Sequence, residues 1–261
     1  MLRLRKRRNE WWLELAGRVS GVGRPEIYRC TLVAHDYLFF TTLGVRDTSP
    51  SRYIGNYALM YALNRFTSAV QRVASGTKPH YEDDLGRMLL YCTPAGPAES
   101  PYIHLCGNKI EWEGAPLTYF TYNSVNTITQ ATETGRSNFP TFGRKGKFPP
   151  LNAYVFFVLG GEPGGVVRLG KKQVACRVYA ERLEFIGEED GEFEPSHPVN
   201  PMDLEGFGVG SIVRGELVRA GYPLLVNARL RGRHYVCARG DKKFYIAKPN
   251  PQKYVMLALP K

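Results

Sequence analysis

The chain has 261 residues, 43% of them hydrophobic, with 35 Lys and Arg against 24 Asp and Glu, a formal net charge of +11 and a pI of about 9.5. That length supports one large domain or two small ones with an adequate core, and the charge favours a polyanionic partner: nucleic acid first, an anionic membrane surface second. No apolar run approaches the roughly 20 residues of a membrane span, so no membrane partner is expected. Five scattered cysteines without a CxxC pair point to reduced thiols in a cytoplasm, not to a disulfide framework or a zinc knuckle.

Residues 1–25 read as a basic extension. Arg3, Arg5, Lys6, Arg7 and Arg8 open it, Gly17, Gly21, Gly23 and Pro25 break any helix, and its short, Trp- and Glu-interrupted apolar part makes a poor signal peptide. Glu26 to Thr42 is β-branched and aromatic and predicts a strand interrupted near Ala34-His35-Asp36. Ser49 and Pro50 predict a helix start, with Leu59, Ala62, Leu63, Phe66, Val70 and Val73 at helical spacing and a stop before Gly76. Strand-like runs follow at 88–93, 102–122, 154–159 and 174–186.

Between these runs lies the span around which the chain is organised. From Arg136 to Arg177 there are eight basic residues and one acid, Glu162, with Phe139, Phe142 and Phe148 between the charges. Cations neutralise phosphates and aromatic faces stack on bases, so the combination suits single-stranded nucleic acid. A solvated hairpin with its phenylalanines turned into the core has the same composition. The stretch GGEPGGVVRLGKK (160–172) lacks Walker A spacing, yet it offers backbone N–H groups beside Arg168, Lys171 and Lys172. A plain glycine-rich turn would look the same.

Glu188 to Glu205 carries seven acids and no Lys or Arg and reads as an exposed loop or linker. Ile212 to Met256 holds several strand-like runs, with ten basic residues from Arg214 to Lys253. EGFGVGSIV (205–213) is a weak match to an RNA-recognition strand. The five histidines show no metal-ligand spacing, so no metal or other cofactor is expected. His35 is the best placed for acid–base work in metal-free RNA cleavage; a histidine that only hydrogen-bonds at a strand end is the plainer reading.

HDYLFFTT (35–42), YIGNYALMYAL (53–63), LLYCTPAGP (89–97), TYNSVNT with SNFPTFGR (121–144) and VVRLGKK (166–172) together resemble the Csc-type, Cas-five-like subunit of type I-D CRISPR effector complexes, over about residues 26–186. The resemblance implies an α+β, ferredoxin-like RNA-recognition core at 26–186. It carries an inserted basic hairpin thumb at 123–148 and a glycine-rich loop at 160–172. The residues themselves, beyond the reach of the resemblance, read as an acidic loop or linker at 187–205 and a β-rich C-terminal part at 206–261. The resemblance also implies a non-catalytic cytoplasmic subunit that binds the 5′ handle of CRISPR RNA, caps the backbone subunits and contacts the large subunit near target DNA. The residues then assigned to RNA are Asn123, Arg136, Phe139, Phe142, Arg144, Lys145 and Lys147 on the thumb, Arg168, Lys171 and Lys172 on the glycine stretch, and His35. The alternatives are a metal-independent endoribonuclease acting on CRISPR repeat RNA through His35, and a general RNA-binding protein.

Overall fold

The structure, a computed structural model, describes residues 25–39, 47–48, 51–65, 84–98, 118–125, 140–170, 172–206, 208–219 and 221–250. In chain order its elements begin β1 (Ile27–Ala34), β2 (Asp47–Thr48), α1 (Asn56–Leu63), β3 (Tyr91–Cys92), β4 (Gly96–Ala98), β5 (Thr118–Val125) and β6 (Pro140–Lys147). They continue β7 (Ala153–Leu159), β8 (Val166–Leu169), β9 (Val174–Arg182), β10 (Glu184–Phe193), β11 (Ile212–Arg219), β12 (Pro223–Arg239) and β13 (Lys242–Ala247).

Strand β1 is central because both its edges are paired. It pairs antiparallel with β7 on one side and β9 on the other. β8 extends the sheet beyond β9, and β3 and β4 lie end to end on the far edge of β7. Period-two alternation puts Cys30, Leu32 and Ala34 on one face, where they meet Leu59 and Met60 of α1 in the main core. The chain leaves β1 at the interruption expected near His35, whose N–H donates to the Ala175 carbonyl at 3.0 Å.

The described helix begins at Asn56. Ser49, Pro50, Phe66, Val70 and Val73, named above as helix signals, lie outside the described residues. Its first turn needs Gly55: a Cβ there would stand 2.5 Å from the Tyr222 hydroxyl. Its end is closed by buried Asn64, whose amide donates to the Met60 and Leu90 carbonyls and accepts from Leu89 and Leu90 N–H. One residue thereby satisfies the helix end and fixes the chain leading into β3.

The expectation of an α+β, ferredoxin-like core is overturned. The described residues are mostly strand, forming a curled antiparallel sheet with α1 as the helix packed on it. The reason is visible at Leu183. β9 and β10 are nearly one strand, but Leu183 N–H still bonds to Ile27 of the first sheet while Glu184 already pairs with Ala238 of β12. A bulge between Phe185 and Gly187 sharpens the bend. The C-terminal strands therefore fold back: Tyr235, Cys237 and Ile246 join the same core as β1 and β7. A second sheet lies against the Arg29–Thr31 face of the first, opposite the face that α1 covers. Phe157 of β7 meets Phe244 of β13 with ring centroids 5.7 Å apart.

The acidic stretch is correspondingly not one loop, since its first part is β10. The second sheet places β10 along one edge of β12, with β11 and β13 in succession along the other. A third, small sheet joins β5 to β6 antiparallel and β2 to β6 parallel. Reciprocal backbone hydrogen bonds between Leu38 and Phe148, 2.9 and 3.0 Å, tie it to the end of β1.

Candidate nucleic-acid interface

The edge strand β8 and its neighbour β9 present an open face. In β9 the sequence VACRVYAER alternates, so Cys176 and Val178 enter the core while Arg177 and Tyr179 stand outside. β8 does the same with Val167 and Leu169 inside and Val166 and Arg168 outside. Val166 lies opposite Arg177 and Arg168 opposite Ala175, so the outward residues share one face. Tyr179 is 37% exposed and Val166 64%. The Arg177 guanidinium sits 5.9 Å from the Tyr179 ring centroid. Arg168 donates to the Gln173 carbonyl at 3.0 Å, and Lys172 is exposed in the turn between the strands. Arg168, Lys172 and Arg177 form no ion pair among the described residues.

The turn that positions them depends on Gly170. Its φ is +73°, and a Cβ would stand 2.7 Å from the Phe39 carbonyl oxygen. The stretch 160–172 is thus no single glycine-rich loop: one glycine turn precedes β8, a second follows it, and a strand lies between.

The cations of the second sheet are differently placed. Glu192 pairs with Arg231 at 2.5 Å and Arg229 at 3.2 Å, which holds its carboxyl below the usual carboxylate range. Glu188 pairs with Lys248 at 2.7 Å, Glu205 with Lys248 and Arg233 at 3.4 and 3.8 Å, and Glu194 with Arg214 at 2.6 Å. Arg239 is held by Glu181. The acidic run expected to repel nucleic acid is thus laid beside the basic run, and the two largely cancel.

Of the residues assigned from sequence, Arg136, Phe139 and Lys171 lie outside the described residues. Asn123, Phe142, Arg144 and Lys145 fall on the paired strands β5 and β6, with Asn123 opposite Phe142 and Arg144 opposite Thr121. Lys147, at the end of β6, has its Nζ 5.9 Å from the Tyr37 ring centroid. Arg168 and Lys172 come together with Arg177. His35 is exposed at the end of β1, next to Asp36, whose carboxylate accepts from Tyr37 N–H at 2.7 Å. Phe148, grouped by sequence with the stacking phenylalanines, is 3% exposed and packs edge-on against Tyr154 at 6.0 Å. Tyr179 was missed. The signal was available, since Arg177 and Tyr179 are two apart in a strand whose alternate residues are Cys176 and Val178.

A buried polar junction holds α1 to the second half of the chain. Tyr57 donates to one Asp203 oxygen at 2.8 Å, while Asn56 and Asn200 donate to the other. Tyr222 donates to Asn56. Asn56 and Asp203 are 0% exposed, and the bonds from Asn56 and Tyr57 to Asp203 join residues about 150 positions apart in the chain. Nearby, the His197 ring donates from Nδ1 to the Pro198 carbonyl at 2.6 Å and accepts at Nε2 from Ala247 N–H at 3.2 Å. Both nitrogens serve the neutral ring, and desolvation by burial, opposed by the Pro198 bond, lowers its pKa to about 4. Among the described residues no group of three or more His, Cys, Asp or Glu could hold a metal ion. No helix among them is long and apolar enough to cross a membrane.

Among the described residues these features define a mostly antiparallel β protein with an open, basic and aromatic-bearing sheet face and a second sheet whose β12 arginines are paired with acids. Residues 25–255 match the family described as type I-D CRISPR-associated protein Cas5/Csc1, and the chain belongs to that family. The match runs well past residue 186, where the sequence motifs ended, and so takes in the second sheet. No curated protein matches the chain.

Proposed function

We propose that this chain is the subunit of a type I-D CRISPR effector complex that holds the 5′ handle of the guide RNA, and that it does so without cutting it. In this reading it also ends the filament of backbone subunits and meets the large subunit where target DNA is opened. The observation that carries the reading is the open face of β8 and β9. It has three cations without ion pairs among the described residues and an exposed tyrosine, while Arg214, Arg229, Arg231, Arg233 and Lys248 of the second half are matched by acids and Lys242 and Lys243 stand at the far turn of β13. A single strand needs that combination: charge for the phosphates and a ring for an unstacked base. Asn123, Phe142, Arg144, Lys145 and Lys147 on the hairpin arms would extend the contact, with Arg136, Phe139 and Lys171 added from outside the described residues and His35 at the end of β1.

The test is photo-crosslinking of 4-thiouridine-labelled handle RNA to the assembled complex, followed by mapping of the adducts. Adducts on β8, β9 and the β5–β6 arms support the reading. Adducts confined to β10–β13, or site-specific RNA cleavage lost in His35→Ala, overturn it.

A further inference from the structure

The second sheet covers only part of the open face, and where it lifts away from β1 and β7 it leaves a cleft of about 1050 Å³. One wall is the outer face of β1, β4 and β7; the other is built from β12, β13 and the 194–198 turn. That volume reaches the upper end of what ligand sites occupy. The half-buried rings of Tyr53, His197 and Phe244 line the cleft, and Phe157, 1% exposed, lies beneath His197 and Phe244. His197 is rigidly held through both ring nitrogens and stands 5.8 Å from Phe157, centroid to centroid.

Its charges decide what class of molecule fits. The two guanidiniums in the lining are already engaged, Arg29 with Glu181 at 3.4 Å and Arg214 with Glu194 at 2.6 Å. Glu194 itself lines the cleft. A nucleic-acid strand entering here would meet compensated charge and an acid, and would lose hydration at its phosphates without matching cations. An uncharged chain meets no such cost. Walls lined with aromatic rings receive extended proline-containing peptide well, because the polyproline II form is preordered and its rings stack on aromatic faces.

We infer that the cleft between the two sheets is a docking groove for an extended, uncharged, proline-containing segment of a partner protein. This site is separate in chemistry from the RNA face of β8 and β9, although both lie on the same side of the first sheet.

The experiment uses the full chain and a fluorescein-labelled, end-capped decaproline peptide. Binding should saturate at micromolar to submillimolar concentration and change less than about twofold from low to moderate salt. Ala98→Trp fills the rim beside β4, and Phe244→Ala removes a ring from the β13 wall. Each should weaken the peptide about 10-fold or more while leaving binding of a ten-nucleotide oligouridylate within about twofold. Thermal unfolding establishes that each variant folds. Hydrogen exchange on the unmodified chain gives a readout independent of both variants: the peptide should protect amides in 226–228 and 244–247. The inference is overturned if the peptide does not saturate by about 1 mM, if exchange in those segments is unchanged, or if a folded variant binds it as before. It is also overturned if oligouridylate, not decaproline, is lost in the cleft variants, which would assign the groove to nucleic acid.

Discussion

Two triple substitutions that remove the same formal charge should behave oppositely. In the first, Arg168, Lys172 and Arg177 become Ala; in the second, Arg229, Arg231 and Arg233 do. Net charge falls by three in both, and a count of basic residues treats them alike. In the structure the first set stands without ion pairs among the described residues, while the second lies against Glu192, Glu188 and Glu205. Counterion release follows the phosphates actually neutralised, at about −0.7 in log–log slope per phosphate for single strands. Losing three such contacts should flatten the slope by about 2 and lower affinity at about 0.15 M salt by about 50-fold. The second set should leave the slope within about 0.5 of the unmodified protein, because its charge is spent on glutamates before RNA arrives. The assay is fluorescence anisotropy of a labelled handle RNA across a salt series. Equal flattening by the two triples, or greater flattening by the second, would refute the reasoning and return binding to bulk charge.

Phe148→Ala should cost about 3–5 kcal/mol, because the ring is buried against Tyr154; thermal unfolding checks it, and a near-unchanged melting temperature would place the ring outside the core. Asp203→Ala should cost about 3–5 kcal/mol by stranding the donors of Asn56, Asn200 and Tyr57, whereas Asp203→Asn should cost roughly 1 kcal/mol. The asparagine still accepts from the two amides and can donate to the tyrosine hydroxyl, so equal losses in urea titrations of the two variants would contradict that account. His197, with its pKa lowered to about 4 by burial, is neutral in the fold while the unfolded chain takes up a proton near pH 6.5. Its contribution, about 2–3 kcal/mol, is therefore intact above pH 6.5, declines as the pH falls through that window, and is gone below about 4. His197→Gln should flatten stability against pH between those limits, as denaturant titrations at several pH values would show.

Local features were legible wherever a residue's role depends on its chain neighbours. Period two fixed β1 and β9, because alternation sets which side chains point inward whatever the strand pairs with. The interruption at His35-Asp36 was readable for the same reason, and so was the strand character of 174–186. The family resemblance, carried by motifs spread over 26–186, was legible too, and the match at 25–255 upholds it. What composition cannot carry is the identity of the partner across space. VACRVYAERLEF reads as one strand, yet Leu183 divides it between two sheets, a bend set by what packs beneath it. That bend brings β12 and β13 onto the face of the first sheet opposite α1, which a ferredoxin-like core would leave uncovered. Phe148 and Phe142 look alike in sequence, but only the bridge to Leu38 shows that Phe148 turns into the core. The acids of 188–205 and the arginines of 214–233 are separate blocks along the chain. Charges interact through distance, not order, so only the pairing of β10 with β12 decided that these acids and arginines meet, while Arg168, Lys172 and Arg177 form no ion pair among the described residues.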